Sequence, residues 1–114
     1  MSDCLFCKIA TGVLPTSFVY EDEHVVAFND IDPKAPVHVV IIPRQHVTTV
    51  TDLASDPEGI MSKLTHAANQ AAKDKGIDVS GYRLVVNSGG DGGQSVFHLH
   101  MHLLGGRRMS WPPG

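Results

Sequence analysis

Three histidines, His98, His100 and His102, stand in the stretch SVFHLHMHLL (residues 95–104), each separated from the next by one apolar residue. In a strand, residues two apart share a face, about 6.6–6.8 Å from each other along the chain. The three imidazoles therefore project from one face, and Leu99, Met101 and Leu103 point into a core from the other. Three roles fit such a row. The plainest is a solvated polar face, although neutral imidazoles want hydrogen-bond partners. A three-histidine metal centre needs Zn–N distances of about 2.0–2.1 Å; neighbours at i and i+2 can converge, but the third would have to reach about 13 Å along the chain. The last is nucleophilic catalysis. A neutral imidazole attacks phosphorus, and a covalent phosphohistidine divides one hard displacement into two easier ones. That role requires an acceptor on the other ring nitrogen, so that the lone pair faces the substrate, and a cradle for phosphate oxygens.

The loop before the row, SGGDGGQS (88–95), offers such a cradle. Gly89, Gly90, Gly92 and Gly93 can adopt positive φ and turn backbone N–H groups toward an anion, and Asn87 and Ser95 flank them as neutral donors. Cys4 and Cys7, the only cysteines, are spaced C-x-x-C. This is either a redox pair or half of a zinc site. A redox C-x-x-C normally follows a strand and caps a helix, whereas this pair lies almost at the N-terminus; two histidines elsewhere would complete a zinc set.

The elements that must position these groups follow from patterning. FVYEDEHVVAFND (18–30) reads as two short strands around a polar EDEH turn. PVHVVIIP (36–43) is a third strand, apolar almost throughout, bounded by prolines and expected to be buried on both faces. A helix is expected between SDPE and Gly76, with either a Ser55/Glu58 capping box or Asp56 as cap and Pro57 as first helical residue. Ile60, Leu64, Ala67, Ala68, Ala71 and Ala72 form its apolar stripe, flat enough to pack on a sheet or on a copy of itself. YRLVVN (82–87) and VFHLHMHLL (96–104) are two further strands. The order predicts an α+β fold with a mainly antiparallel five-stranded sheet.

A chain of 114 residues makes one domain, taken as residues 1–114. A net charge of −3, from 9 Lys and Arg against 12 Asp and Glu, gives no footprint for a nucleic-acid backbone. The start MSDCLFCKIATG carries no apolar leader, and no apolar run approaches the roughly 20 residues that span a bilayer. A cytoplasmic protein with no nucleic-acid or membrane partner is expected.

HLHMHLL, together with the glycine loop, FNDIDPKAPVHVVIIPRQH and the closing WPPG, strongly resembles the histidine triad (HIT) superfamily of nucleotide hydrolases and transferases, and within it the Hint branch. The resemblance covers nearly the whole chain. It implies a HIT-like fold with one long and one short N-terminal helix, assembled as a homodimer in which the Trp111 tail reaches toward the partner's site. It implies that His100 attacks the α-phosphorus, that His102 donates a hydrogen bond to the phosphoryl group, and that His38 and Ser95 assist. Asn87, Gly93, Gln94, Ser95 and Val96 would contact phosphate or leaving group, Asp30 the ribose hydroxyls, and Phe6, Phe28 and Ile31 a purine. It further implies a structural zinc on Cys4, Cys7, His46 and His98, with no catalytic metal. The expected activity is hydrolysis of purine nucleoside phosphoramidates, AMP or GMP joined to an amine. A dinucleoside polyphosphate hydrolase and a non-enzymatic nucleotide sensor are the alternatives. His24 and His66 match nothing functional.

Overall fold

A computed structural model describes residues 3–114. Met1 and Ser2, which open the stretch read above as lacking a leader, lie outside the described residues. Helix α1 (Leu5–Ala10) precedes strands β1 (Tyr20–Glu21), β2 (Val25–Asn29) and β3 (Val37–Pro43). Helix α2 (Ile60–Asp74) and strands β4 (Tyr82–Val85) and β5 (Met101–Gly105) follow. The sheet runs β1-β2-β3-β5-β4, every pair antiparallel. This is the expected α+β architecture, with five strands, one long helix and a short N-terminal one.

The two faces of the sheet carry separate cores. Val39 and Ile41 of β3 join Leu99, Met101, Leu103 and the α2 stripe on one side, while Val40 and Ile42 join Phe6, Ile9, Val26 and Phe28 on the other. The apolar run of β3 is thus buried on both faces, as a central strand requires. In α2, Leu64 and the four alanines are fully buried against the sheet. The flat alanine stripe is therefore occupied by this chain's own sheet and is not a face for a second copy.

Neither N-terminal cap of α2 takes its expected form. The N-cap is Gly59 at φ +65, and Pro57 lies in the turn before the helix. The Asp56 carboxylate does accept from the first free amides, Ile60 N–H at 2.8 Å and Met61 N–H at 2.9 Å, reaching them across that turn. The C-terminal stop is as expected: Gly76 at φ +73 lets Ile77 N–H return to Ala72 O at 3.0 Å, which seats Ile77 in the core.

The last strand is shorter than its sequence suggests, since the ladder begins at Met101 and not at Val96. Its partner β3 ends at Pro43, which has no N–H to offer the next rung. Instead Leu99 N–H turns to Val47 O at 2.6 Å. The alternation of faces persists through this irregular segment even so.

Because two helix amides rest on one carboxylate, Asp56→Ala is expected to lower stability by about 1 kcal/mol, and Ser55→Ala to change it by less than about 0.5 kcal/mol. Urea unfolding midpoints of the two variants decide which residue caps α2.

Candidate active site and metal centre

His100 is buried, and its Nδ1 lies 2.8 Å from the backbone oxygen of His98. A carbonyl can only accept, so Nδ1 carries the ring proton and Nε2 keeps its lone pair. That is the tautomer a nucleophile requires.

The β3–β5 register builds a second arrangement. His38 pairs with Leu104 and Val40 with His102, so His38 and His102 are diagonal neighbours on one face. Their rings lie 5.1 Å apart, with His38 Nε2 2.9 Å from His102 Nδ1. Lys34 N–H donates to His38 Nδ1 at 3.0 Å. His38 therefore holds its proton on Nε2 and donates it to His102, which leaves the Nε2–H of His102 as a donor. Asp30 Oδ2 lies 3.4 Å from His38 Nε2, while Asp30 Oδ1 accepts from Asp32 N–H at 2.8 Å. Burial above all, then the neighbouring His100 and His38 rings, pushes the His102 imidazolium down to about 4 against the opposing pull of Asp30. Burial also lowers His38, more than the Asp30 carboxylate raises it. Both rings are neutral at pH 7, so the Asp30–His38 contact joins a carboxylate to an N–H dipole and is not an ion pair.

A cleft of about 460 Å³ opens beside these rings. Its wall includes His100, His102, Ser95 and Val96 together with Phe6, Phe28, Asp30 and Ile31. Phe6 and Phe28 meet edge to face at 5.8 Å and also anchor the α1-side core, whereas Ile31 is fully exposed at the rim. Leu5, Ile9, the Leu14–Pro15–Thr16 segment, Asn29 and Val40 complete the wall, and nothing in their local sequence signals it.

Asn87, Gly93 and Gln94 are not among the residues lining the cleft. The glycine loop closes on itself: Gly93 N–H donates to Gly90 O and Gln94 N–H to Gly89 O, both at 3.0 Å. The buried Gln94 side chain accepts from Gly89 N–H at 2.9 Å and donates to Thr48 O and Val96 O. A Cβ on Gly92 would fall 2.5 Å from Ser88 O, and Gly93 has φ +84. These glycines serve the turn itself, and the amides expected to face an anion at 89, 93 and 94 are already committed. The loop's contribution to the cleft is to deliver Ser95 and Val96.

A second cluster lies at the far end of the histidine row. Cys4 Sγ and Cys7 Sγ lie 3.3 and 3.5 Å from His98 Nδ1, Cys7 Sγ lies 3.3 Å from His46 Nδ1, and the two Nδ1 atoms are 3.2 Å apart. Around a tetrahedral zinc, with Zn–N about 2.0–2.1 Å and Zn–S about 2.3 Å, ligand atoms sit about 3.3–3.8 Å from one another. His98 Nε2–H donates to Pro43 O at 2.9 Å, which leaves its Nδ1 lone pair facing the sulfurs. These four side chains form a set able to hold a metal, and the donor atoms fit zinc. Asp30, His38 and His102 also converge within 4.8 Å. There, however, the Lys34 amide keeps the proton on the very nitrogen of His38 that would face the ion, so this set fits a hydrogen-bond relay.

A small antiparallel α+β domain with three alternate histidines, one in a closed Cys₂His₂ set and two on a cleft, defines the histidine-triad class. The HIT domain profile matches residues 11–109, and the chain belongs to the HIT family. It is similar to a HIT family hydrolase from Legionella pneumophila Philadelphia 1, 47% identical with a TM-score of 0.93, covering 98% of this chain and 100% of that one. A histidine triad protein from Clostridium difficile is 44% identical with a TM-score of 0.92, covering 96% of each chain. The 14 kDa zinc-binding protein of Brassica juncea is 44% identical over 114 residues, 98% of this chain and 100% of that protein.

The depressed His102 proton affinity has a stability consequence of definite sign. An unfolded histidine binds its proton near pH 6.5, the folded one only near 4. Between these values the unfolded state holds more protons, so the stability present above pH 6.5 is lost as pH falls toward 4. His102→Gln, with its metal set intact, is expected to lose less stability than the parent from pH 7 to 4.5, measured by urea unfolding at each pH.

Proposed function

We propose that this protein hydrolyses purine nucleoside 5′-phosphoramidates, AMP or GMP joined to an amine, through a nucleotidyl-histidine on His100. The observation that carries the reading is the His100 tautomer, fixed by the His98 carbonyl so that an unprotonated Nε2 borders a nucleotide-sized cleft. Nε2 attacks the α-phosphorus, and the P–N bond breaks with its electron pair on the departing nitrogen. That nitrogen takes up one proton from solvent, while the Nε2–H of His102 donates a hydrogen bond to a phosphoryl oxygen. Water then attacks the same phosphorus, its proton is released to solvent, and His100 departs with Nδ1–H retained. The His38–His102 hydrogen bond keeps the second ring aimed throughout. Phe6, Phe28 and Ile31 suit a flat purine, Asp30 the ribose hydroxyls, and Ser95 and Val96 the phosphoryl oxygens.

Cys4, Cys7, His46 and His98 would hold zinc as a structural ion, since four protein ligands leave no open position for substrate. The naming of the Brassica juncea relative as zinc-binding supports this. We also take the chain to act as a homodimer, the exposed Trp111 tail being the segment that reaches a partner.

The direct test is intact-protein mass spectrometry after mixing with an AMP-amine: an adenylyl adduct is expected on the parent protein and none on His100→Ala. His102→Ala should lower kcat/KM by about 10²–10⁴-fold. Fast turnover of diadenosine polyphosphates with inert AMP-amines would reassign the substrate, and bound AMP without any adduct would make the protein a sensor. Metal analysis should find one zinc per chain, lost in Cys7→Ala together with part of the thermal stability.

A further inference from the structure

We infer that the Cys4–Cys7–His46–His98 centre positions the His100 nucleophile, so that metal occupancy and the His100 tautomer are coupled through residue 98. The role of His100 in this inference rests on the reading above; the coupling itself does not. His98 takes part in both sites with different atoms. Its ring is fully buried and held at both nitrogens, Nδ1 within the ligand set and Nε2–H on Pro43 O at 2.9 Å. Its backbone oxygen accepts the Nδ1 proton of His100 at 2.8 Å. The anchored ring holds the Cα of residue 98, and the Leu99 N–H bond to Val47 O, the residue after ligand His46, holds the plane of the following peptide and with it the direction of that carbonyl.

The surrounding chain makes the anchoring matter. Residues 96–100 precede the β5 ladder, so strand hydrogen bonds do not set the orientation of the His98 carbonyl. Its position derives from the Leu99–Val47 hydrogen bond and from the side chains at 98. A second link runs through Phe6, which lies between the two cysteines. Its ring meets His98 at 5.9 Å and His100 at 5.2 Å, both edge to face. Phe6 rides on α1, whose N-cap is Cys4, with Sγ accepting from Cys7 N–H at 3.4 Å. The ligand set thus grips the helix and the histidine segment that together hold His100.

Nδ1 of His46 and Nδ1 of His98 lie 3.2 Å apart, near the spacing of two ligands on one metal ion, and without the ion only a hydrogen bond donated by His46 Nδ1–H would keep them together. When the metal is withdrawn, the His98 ring is expected to turn, its carbonyl to lose its aim, and Nδ1 of His100 to lose its fixed acceptor. The proton then distributes over both nitrogens, and the fraction with a free Nε2 lone pair falls.

The test is long-range ¹H–¹⁵N NMR of the histidine rings, without nucleotide, in metal-loaded and chelated protein. The loaded protein should show His100 as a single Nδ1–H tautomer; chelation should bring in a substantial Nε2–H population that zinc reverses. Adduct formation in a single turnover should slow in parallel, by about 10- to 100-fold. An unchanged tautomer in chelated protein that keeps its sheet by circular dichroism overturns the coupling. Should chelation unfold the chain, His46→Ala removes the exposed ligand alone, and its tautomer is followed across a zinc titration. A population that tracks occupancy supports the inference, and a constant one sinks it. An adduct that forms on protein with a metal-independent tautomer leaves the proposed function standing and the coupling refuted; a metal-dependent tautomer with no adduct does the reverse.

Discussion

The hydrogen bond from His100 Nδ1 to the His98 carbonyl decides what the row of histidines can do. A neutral imidazole has one proton for two nitrogens, so whatever touches one nitrogen determines the character of the other. The same constraint runs through the whole cluster. The Lys34 amide makes His38 a donor toward His102, and the Pro43 carbonyl turns the His98 lone pair toward the cysteines. Three backbone groups thus assign four rings their roles. Among the described residues no buried side-chain nitrogen or oxygen lacks a partner, which is what holding so many polar rings out of water demands.

These backbone groups are in place because the sheet puts them there. The β3–β5 register brings His38 and His102 to diagonal positions, and β2 beside β3 brings Asp30 to the end of the same face. The opposite face packs on α2 through alanines with little side-chain freedom to lose on burial. Rigidity on that side supports placement to a fraction of an ångström on this one. Burial then dries the rings enough to keep His38 and His102 uncharged.

Periodicity made the architecture legible in the sequence. The i, i+3, i+4 stripe of α2, the doubly buried run of β3 and the alternation at 98–103 each report burial directly, and burial is what a pattern of apolar residues encodes. The four metal ligands and the cleft-facing His100, His102 and Asp30 were legible through the family resemblance. Backbone acceptors and donors were not. Every residue has an amide and a carbonyl, so no letter marks Lys34 or Pro43 as the group that orients a ring. The glycine loop misled for a related reason. Glycines signal a need for positive φ or close approach, but not whether the freed amides will face a ligand or, as at Gly93 and Gln94, each other. The cap at Asp56 was visible as a residue type and invisible as geometry, because its reach depends on the left-handed turn at Gly59.

The division of labour within the triad turns on Pro43. A regular strand through residue 98 would hold three rings at equal spacing of about 6.6–6.8 Å, all presented alike to one surface. Pro43 ends the β3 ladder, and the facing segment leaves the sheet before Met101. Released from the strand's pitch, the His100 ring comes within 5.0 Å of His102, while His98 turns away to meet His46 at 4.9 Å, with the cysteines beyond. The carbonyl that Pro43 cannot match with an N–H of its own becomes the acceptor that holds His98 in its metal-facing tautomer. One missing donor therefore both breaks the symmetry of the row and anchors the ring that leaves it. A sheet continuous to residue 98 would have kept the three histidines equivalent, and equivalent histidines could not serve a closed ligand set and an open cleft side by side.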